Sequence, residues 1–277
     1  MARFARNALC PLVAMMVVVS FSHADEESAS SATNAADPFD APLKKITVDA
    51  GRWPEYEPSS DLRRTLTCYY YPQVVIKEYD IGGSGAVGLS MLRSRNGEPP
   101  ECKPGRQRGE RVIDSSEWYG YFKGVKDALV FFDPPDDFNG DSPFAVFDSV
   151  SGKKIFDDSA YGEPVPEGYR TSRLQIVSTK DGYTLKYLRV SYADCNLRSE
   201  GRACWEKIKA QTGLKSDDIP VCTGYEHIAE LVGTDDVESE IAYPVEVSLL
   251  PAPSVRIVGA AVKCWPQQFD SFNVLFR

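Results

Sequence analysis

The sequence predicts a mainly β protein with antiparallel sheets, sandwich-like or barrel-like, two short helices in the second half, and disulfide staples. Three observations carry this. Short runs of β-branched and aromatic residues alternate with turn residues along most of the chain. Helical signals are confined to two stretches after residue 200. Six cysteines remain once an N-terminal apolar leader is set aside, an even number that suggests three disulfides in an exported chain.

The leader is the first element. Arg3 and Arg6 precede an apolar run from Leu9 to Phe21, followed by Ser22, His23 and Ala24. A charged start, a short apolar run and small residues make residues 1–24 a signal peptide, with cleavage expected after Ala24. The run is about 13 residues, short of the about 20 that span a bilayer. Cys10 lies ahead of it and should leave with the leader. No later apolar run approaches membrane length, so the mature chain is expected to be soluble, without a membrane span, in the periplasm or outside the cell. Residues 25–45 are rich in Ser, Ala, Asp and Pro, with little to bury, and are expected to form a flexible tether. Residues 46–277 are expected to form a single mainly β domain, with two packed halves, about 46–162 and 163–277, as the alternative division.

The strands follow. "TLTCYYYPQVVIKEYDI" and "DALVFFD" are rich in residues that suit a pleated surface. "FAVFDSVSGKKIF" reads as a hairpin turning at Ser151-Gly152. "RLQIVSTKDGYTLKYLRVSY" reads as a longer hairpin, with Asp181-Gly182 supplying the positive φ angles of a type I′ turn. "EVSLLPAPSVRIVGAAV" reads as two strands joined by a proline-stiffened loop. One helix is expected over Arg202–Thr212, ended by Gly213 and Leu214. A second is expected after the capping box Thr223-Gly-Tyr-Glu226, running to Gly233.

The remaining cysteines are Cys68, Cys102, Cys195, Cys204, Cys222 and Cys264. The expected pairing in the first half is Cys68 with Cys102, the other four pairing among themselves. A Cys204–Cys222 bond would clip the segment after the first helix back to its start.

Gly83, Gly85 and Gly88 in "YDIGGSGAVGLSML" have dinucleotide-fingerprint spacing, but Asn96-Gly97 and Pro99-Pro100 leave no room for the long helix a pyrophosphate requires. A glycine-rich strand connection is expected, and no nucleotide. The net charge of −9 becomes more negative without the leader, which holds two arginines and no acid, and this argues against nucleic-acid partners.

Four features bear on chemistry. Asp137, Asn139, Asp141 and Asp148 fall at loop positions one, three, five and twelve, the ligand rhythm of a calcium loop. Ser142 departs from that pattern where glycine makes the sharp turn, and a polar turn is the plainer reading. Acids between Asp133 and Asp148 also suit a carboxylate-dependent hydrolase acting on a polysaccharide. Lys103, Arg106, Arg108 and Arg111 form the basic cluster of an acidic chain, fit for an anionic cell-envelope polymer or an acidic protein surface. Trp118, Tyr119, Tyr121 and Phe122 form an aromatic run beside it, readable as a binding platform or as a core strand with one wet face. Glu226 and His227 stand on the second helix. His227, the one histidine after the leader, has no serine in a nucleophile motif to serve, so the expected function is non-enzymatic binding in the envelope.

Overall fold

A computed structural model describes residues 38–52, 63–82, 85–94, 99–134, 141–164, 170–172, 174–234 and 236–267. Residues Asp37–Arg277 form one compact unit. β1 (Lys44–Arg52), β2 (Arg63–Tyr70), β3 (Val74–Asp80), β4 (Gly88–Arg93) and β5 (Arg111–Ile113) pair in chain order into a five-stranded sheet. A ten-stranded sheet contains β6 (Tyr121–Lys126), β7 (Leu129–Asp133), β8 (Asp141–Asp148), β9 (Lys154–Pro164), β10 (Arg170–Ser172), β11 (Gln175–Thr179), β12 (Gly182–Tyr192), β13 (Ser239–Ser248), β14 (Ser254–Ile257) and β15 (Lys263–Pro266). Its main path is β14-β13-β12-β9-β8-β7-β6, with β10 on β9, β11 on β12 and β15 on β13. All these pairings are antiparallel. Between β12 and β13 lie α1 (Leu197–Glu200), α2 (Arg202–Thr212) and α3 (Tyr225–Val232).

Side chains alternate across each strand, and the alternation builds three cores. Val74, Ile76, Leu89 and Met91 from the five-stranded sheet pack against Val125, Val130, Phe132 and Phe147 of β6–β8, as in a sandwich. The other face of β7 and β8, with Phe131, Phe144 and Val146, packs with Leu185, Tyr187, Ile241 and Tyr243 and with Trp205 of α2. β7 is thus covered on both sides, which is why its sequence is a continuous apolar run and not an alternating one. The outer face of the five-stranded sheet carries the third core, Leu66, Cys68, Tyr70, Val75 and Leu92.

The sandwich core also encloses a carboxylate. Glu78 accepts hydrogen bonds from the Phe122 amide (2.7 Å) and the Tyr69 hydroxyl (3.2 Å). Burial raises its pKa above the usual 4.5, outweighing the two donors that favour the charged form.

Several expectations need correction. The Cys68–Cys102 disulfide forms, but the others are Cys195–Cys204 and Cys222–Cys264. Cys195 and Cys204 meet because the extra helix α1, capped by the Asn196 side chain, turns the chain back toward α2. Cys264 lies on β15, whose pairing with β13 carries it to the segment before α3. The long hairpin turns at Lys180-Asp181, since Thr179 pairs with Gly182, leaving Gly182 as the first strand residue. The capping box does not form. Gly224 caps α3 without a side-chain bond, because Tyr225 must enter the core and reach the Ser239 hydroxyl. The end of the expected tether is docked. Phe39 packs on Phe131 with ring centroids 5.3 Å apart, and Asp40 pairs with Lys126 at 2.7 Å. Residues 25–37 lie outside the described residues. Of the fingerprint glycines, Gly85 lies between β3 and β4, an antiparallel pair, Gly88 begins β4 and Gly83 lies outside the described residues, and no helix occurs between the two strands among the described residues.

Candidate functional site

The basic cluster lies on a loop that crosses the outer face of the five-stranded sheet, anchored at one end by Cys102 to Cys68 of β2. Alternation along β3 puts Lys77 and Tyr79 beneath this loop and Glu78 on the opposite face. The Lys77 ammonium donates to the Gly105 carbonyl at 2.8 Å and sits 3.0 Å from Glu110. Glu110 accepts further bonds from the Ser90 hydroxyl (2.5 Å) and the Gln107 amide (2.6 Å). The Gly105 amide donates to the Tyr79 hydroxyl at 3.1 Å. Lys77 is 0% and Glu110 6% exposed. A buried pair of this kind adds little net stability over an apolar pair, but removing one partner is costly, so it defines where the loop sits.

This pinning sorts the four basic residues. Arg106 and Arg108 are exposed and have no ion-pair partner among the described residues. Lys103 makes an exposed contact with Glu101 at 3.4 Å. Arg111 instead belongs to the scaffold, since it donates to both Glu117 oxygens at 2.6 and 2.7 Å and holds the turn before Trp118. A fifth cation, missed in the sequence, joins the patch. The Arg64 guanidinium lies 5.6 Å from the Tyr79 ring centroid, at the base of the loop. β-strand alternation places Arg64 on the same face as Cys68, but its approach to Tyr79 depends on strand pairing that spacing alone does not reveal.

The aromatic run separates from the basic loop in role. Trp118, Tyr121 and Phe122 are half-buried against the sandwich core, and the Phe122 ring packs at a tilt on Tyr69 with centroids 4.6 Å apart. Tyr119 is the ring that faces water, 51% exposed. The core-strand reading describes most of this run, and Trp118 and Tyr121 form a wall of the sandwich with partly wet edges.

The calcium arrangement does not assemble from β8. Asp141 and Asp148 begin and end one strand, and a rise of roughly 3.3 Å per residue sets them about 23 Å apart, far beyond a shared ion. Asp148 caps the next turn by accepting from the Ser151 amide, and Asp133 is paired with Lys123 at 2.6 Å. Asp137 and Asn139 lie outside the described residues. No group of three or more metal-ligating side chains occurs among the described residues.

His227 stands on α3 at the edge of a cleft shared with Lys263 and Trp265 of β15, a grouping that the sequence does not show because Trp265 follows 38 positions later. No helix among the described residues is long and apolar enough to cross a membrane. No family model, curated protein or solved structure matches the chain.

Proposed function

We propose that the chain is an exported, non-enzymatic binding protein of the cell envelope, led out by residues 1–24 and engaging an anionic envelope polymer through the loop from Cys102 to Arg111. The observation that supports this reading most is the buried Lys77–Glu110 pair, which holds the loop while Arg106 and Arg108 project from it without ion-pair partners among the described residues. A preordered loop loses little conformational freedom on binding. Guanidinium groups match carboxylates and phosphates with paired donors. Over a chain of net charge −9, a local basic patch also sets orientation, because the remaining surface repels a polyanion. Three disulfides suit an oxidising compartment.

The test is retention on immobilised dextran sulfate at low ionic strength, developed with a salt gradient. The parent protein should be retained, and the Arg106→Ser/Arg108→Ser double variant should elute at clearly lower salt. An Arg202→Ser control, on α2, should elute with the parent. Co-elution of the double variant with the parent would sink the proposal.

A further inference from the structure

We infer that the free edge of β1 is a self-association site, where a second copy of the chain pairs its own β1 antiparallel about a two-fold axis through Thr47. This goes beyond the reading of the basic loop and uses different residues.

Four strands end the main paths of the two sheets, β1, β5, β6 and β14. β5 and β14 have three and four residues, and the segment before β1 lies against β6, with the Asp40 amide bonded to the Val125 carbonyl. β1 has nine residues. An edge strand of that length offers a row of backbone groups to another chain.

The hydrogen-bond pattern identifies the free groups. The Tyr71 amide donates to the Val74 carbonyl at 2.9 Å, so Tyr71 and every second residue back along β2, Tyr69, Thr67 and Thr65, turn their backbone groups toward β3. Tyr70, Cys68 and Leu66 turn theirs toward β1, where they stand opposite Lys44, Ile46 and Val48. The amides and carbonyls of Lys45, Thr47 and Asp49 therefore point away from β2, and none is bonded among the described residues. After Asp49 a bulge interrupts the strand, closed by the Gly51 amide donating to the Asp49 carboxylate at 2.8 Å, so the regular free edge is residues 45–49.

Charge selects the register. A two-fold pair is self-complementary, so the residue on the axis fixes every opposed pair. With Thr47 on the axis, the free groups of Lys45, Thr47 and Asp49 meet those of the second copy and each opposed pair exchanges both backbone bonds. In this register Lys45 faces Asp49 of the second copy, twice over, and Ile46 faces Val48. With Lys45 or Asp49 on the axis like charges would meet directly, and registers centred on Ile46 or Val48 leave Lys45 and Asp49 without an opposite charge across the edge. Lys45 and Asp49 are exposed on one face of the strand, where the Lys45 ammonium rests 4.9 Å from the Tyr69 ring centroid and Asp49 meets Arg63. Such exposed contacts hold little energy, and a carboxylate has acceptor sites for a second cation. On the other face Ile46 and Val48 are half-buried at the margin of the third core, and the pairing would extend that core across the axis. Strand addition buries less than a standard interface, so the dimer is expected to be weak and concentration-dependent.

The test is sedimentation equilibrium of the protein from about 1 μM to about 1 mM, the range suited to a weak interface. We expect reversible dimerisation. Thr47→Pro removes the N–H at the axis while keeping the backbone bonds from β1 to β2, and should weaken association by about tenfold or more. Lys45→Glu and Asp49→Lys should each dimerise poorly alone, whereas their equimolar mixture should associate as the parent does, because each altered charge then meets its opposite. Circular dichroism checks that each variant is folded. A single species of monomer mass at every concentration, a dimer that Thr47→Pro leaves intact, or a mixture of folded charge variants that associates no better than its components would each overturn the inference.

Discussion

Gly124 and Phe39 show how a single residue can decide the docking of a whole segment. A Cβ built on Gly124 would lie 2.5 Å from the Phe39 ring, so the glycine makes the hollow that the ring fills. Gly124→Ala should cost about 1–3 kcal/mol by overpacking, read from denaturant midpoints, and combining it with Phe39→Ala should cost less than the sum of the two single changes. Glu78 gives a pH-dependent prediction. Its folded pKa is raised above 4.5, so the folded chain holds its proton to higher pH than the unfolded chain does. Its contribution is most favourable below pH 4.5 and declines as pH rises through the folded value. Relative to a Glu78→Gln variant, the parent should therefore lose stability as pH rises from about 4.5 through the raised folded value, in thermal melts at fixed ionic strength. An opposite slope would mean that the two donors, and not burial, control this carboxyl. Little of this was legible in the sequence. "VVIKEYD" reads as a strand, but nothing local says that Lys77 and Glu78 are both enclosed, one under a loop and the other between sheets.

Elements were legible where a local rule decides them. The Ser151-Gly152 turn and the Gly213 helix end depend on positive φ, which both glycines adopt. The Gly224 cap and the Cys222–Cys264 disulfide depend on where β13 and β15 meet, a contact between distant segments. The basic loop is of this second kind. Lys77→Met leaves Glu110 buried without its ion partner and should destabilise by about 3–5 kcal/mol. Lys77→Met with Glu110→Leu removes both charges and should regain much of that loss. If the buried pair serves to position the loop, the double variant should still elute from dextran sulfate at lower salt than the parent, although Arg106 and Arg108 are intact. Elution with the parent would confine the pair to a packing role. The disulfides differ by the chain each closes. Loop-closure entropy gives about 4 kcal/mol for the Cys222–Cys264 separation of 42 residues and about 2.6 kcal/mol for the Cys195–Cys204 separation of 9. Serine double substitutions compared by urea unfolding should follow that order.

At the scale of the whole molecule, the question is whether the chain behaves as one body or as two halves. The sequence predicts a single domain, with no linker visible, while its length would also accommodate two packed halves dividing near residue 162. The ten-stranded sheet argues for one, since the pairing of β8, β9 and β12 carries it across that point. β7 is decisive. Val130 and Phe132 enter the sandwich core while Leu129 and Phe131 enter the larger core beyond it, so neither core can lose its packing without exposing a face of the same strand. Two tryptophans report on the two cores separately, Trp118 at the sandwich and Trp205, fully buried, in the other. In two variants that keep only one of them, with the remaining tryptophans changed to phenylalanine, the urea midpoints should shift equally on adding Phe132→Ala. That substitution should cost about 3–5 kcal/mol, and a cooperative unit spreads the loss to every probe. If the Trp118 midpoint fell while the Trp205 midpoint held, β7 would be a border between independently stable units.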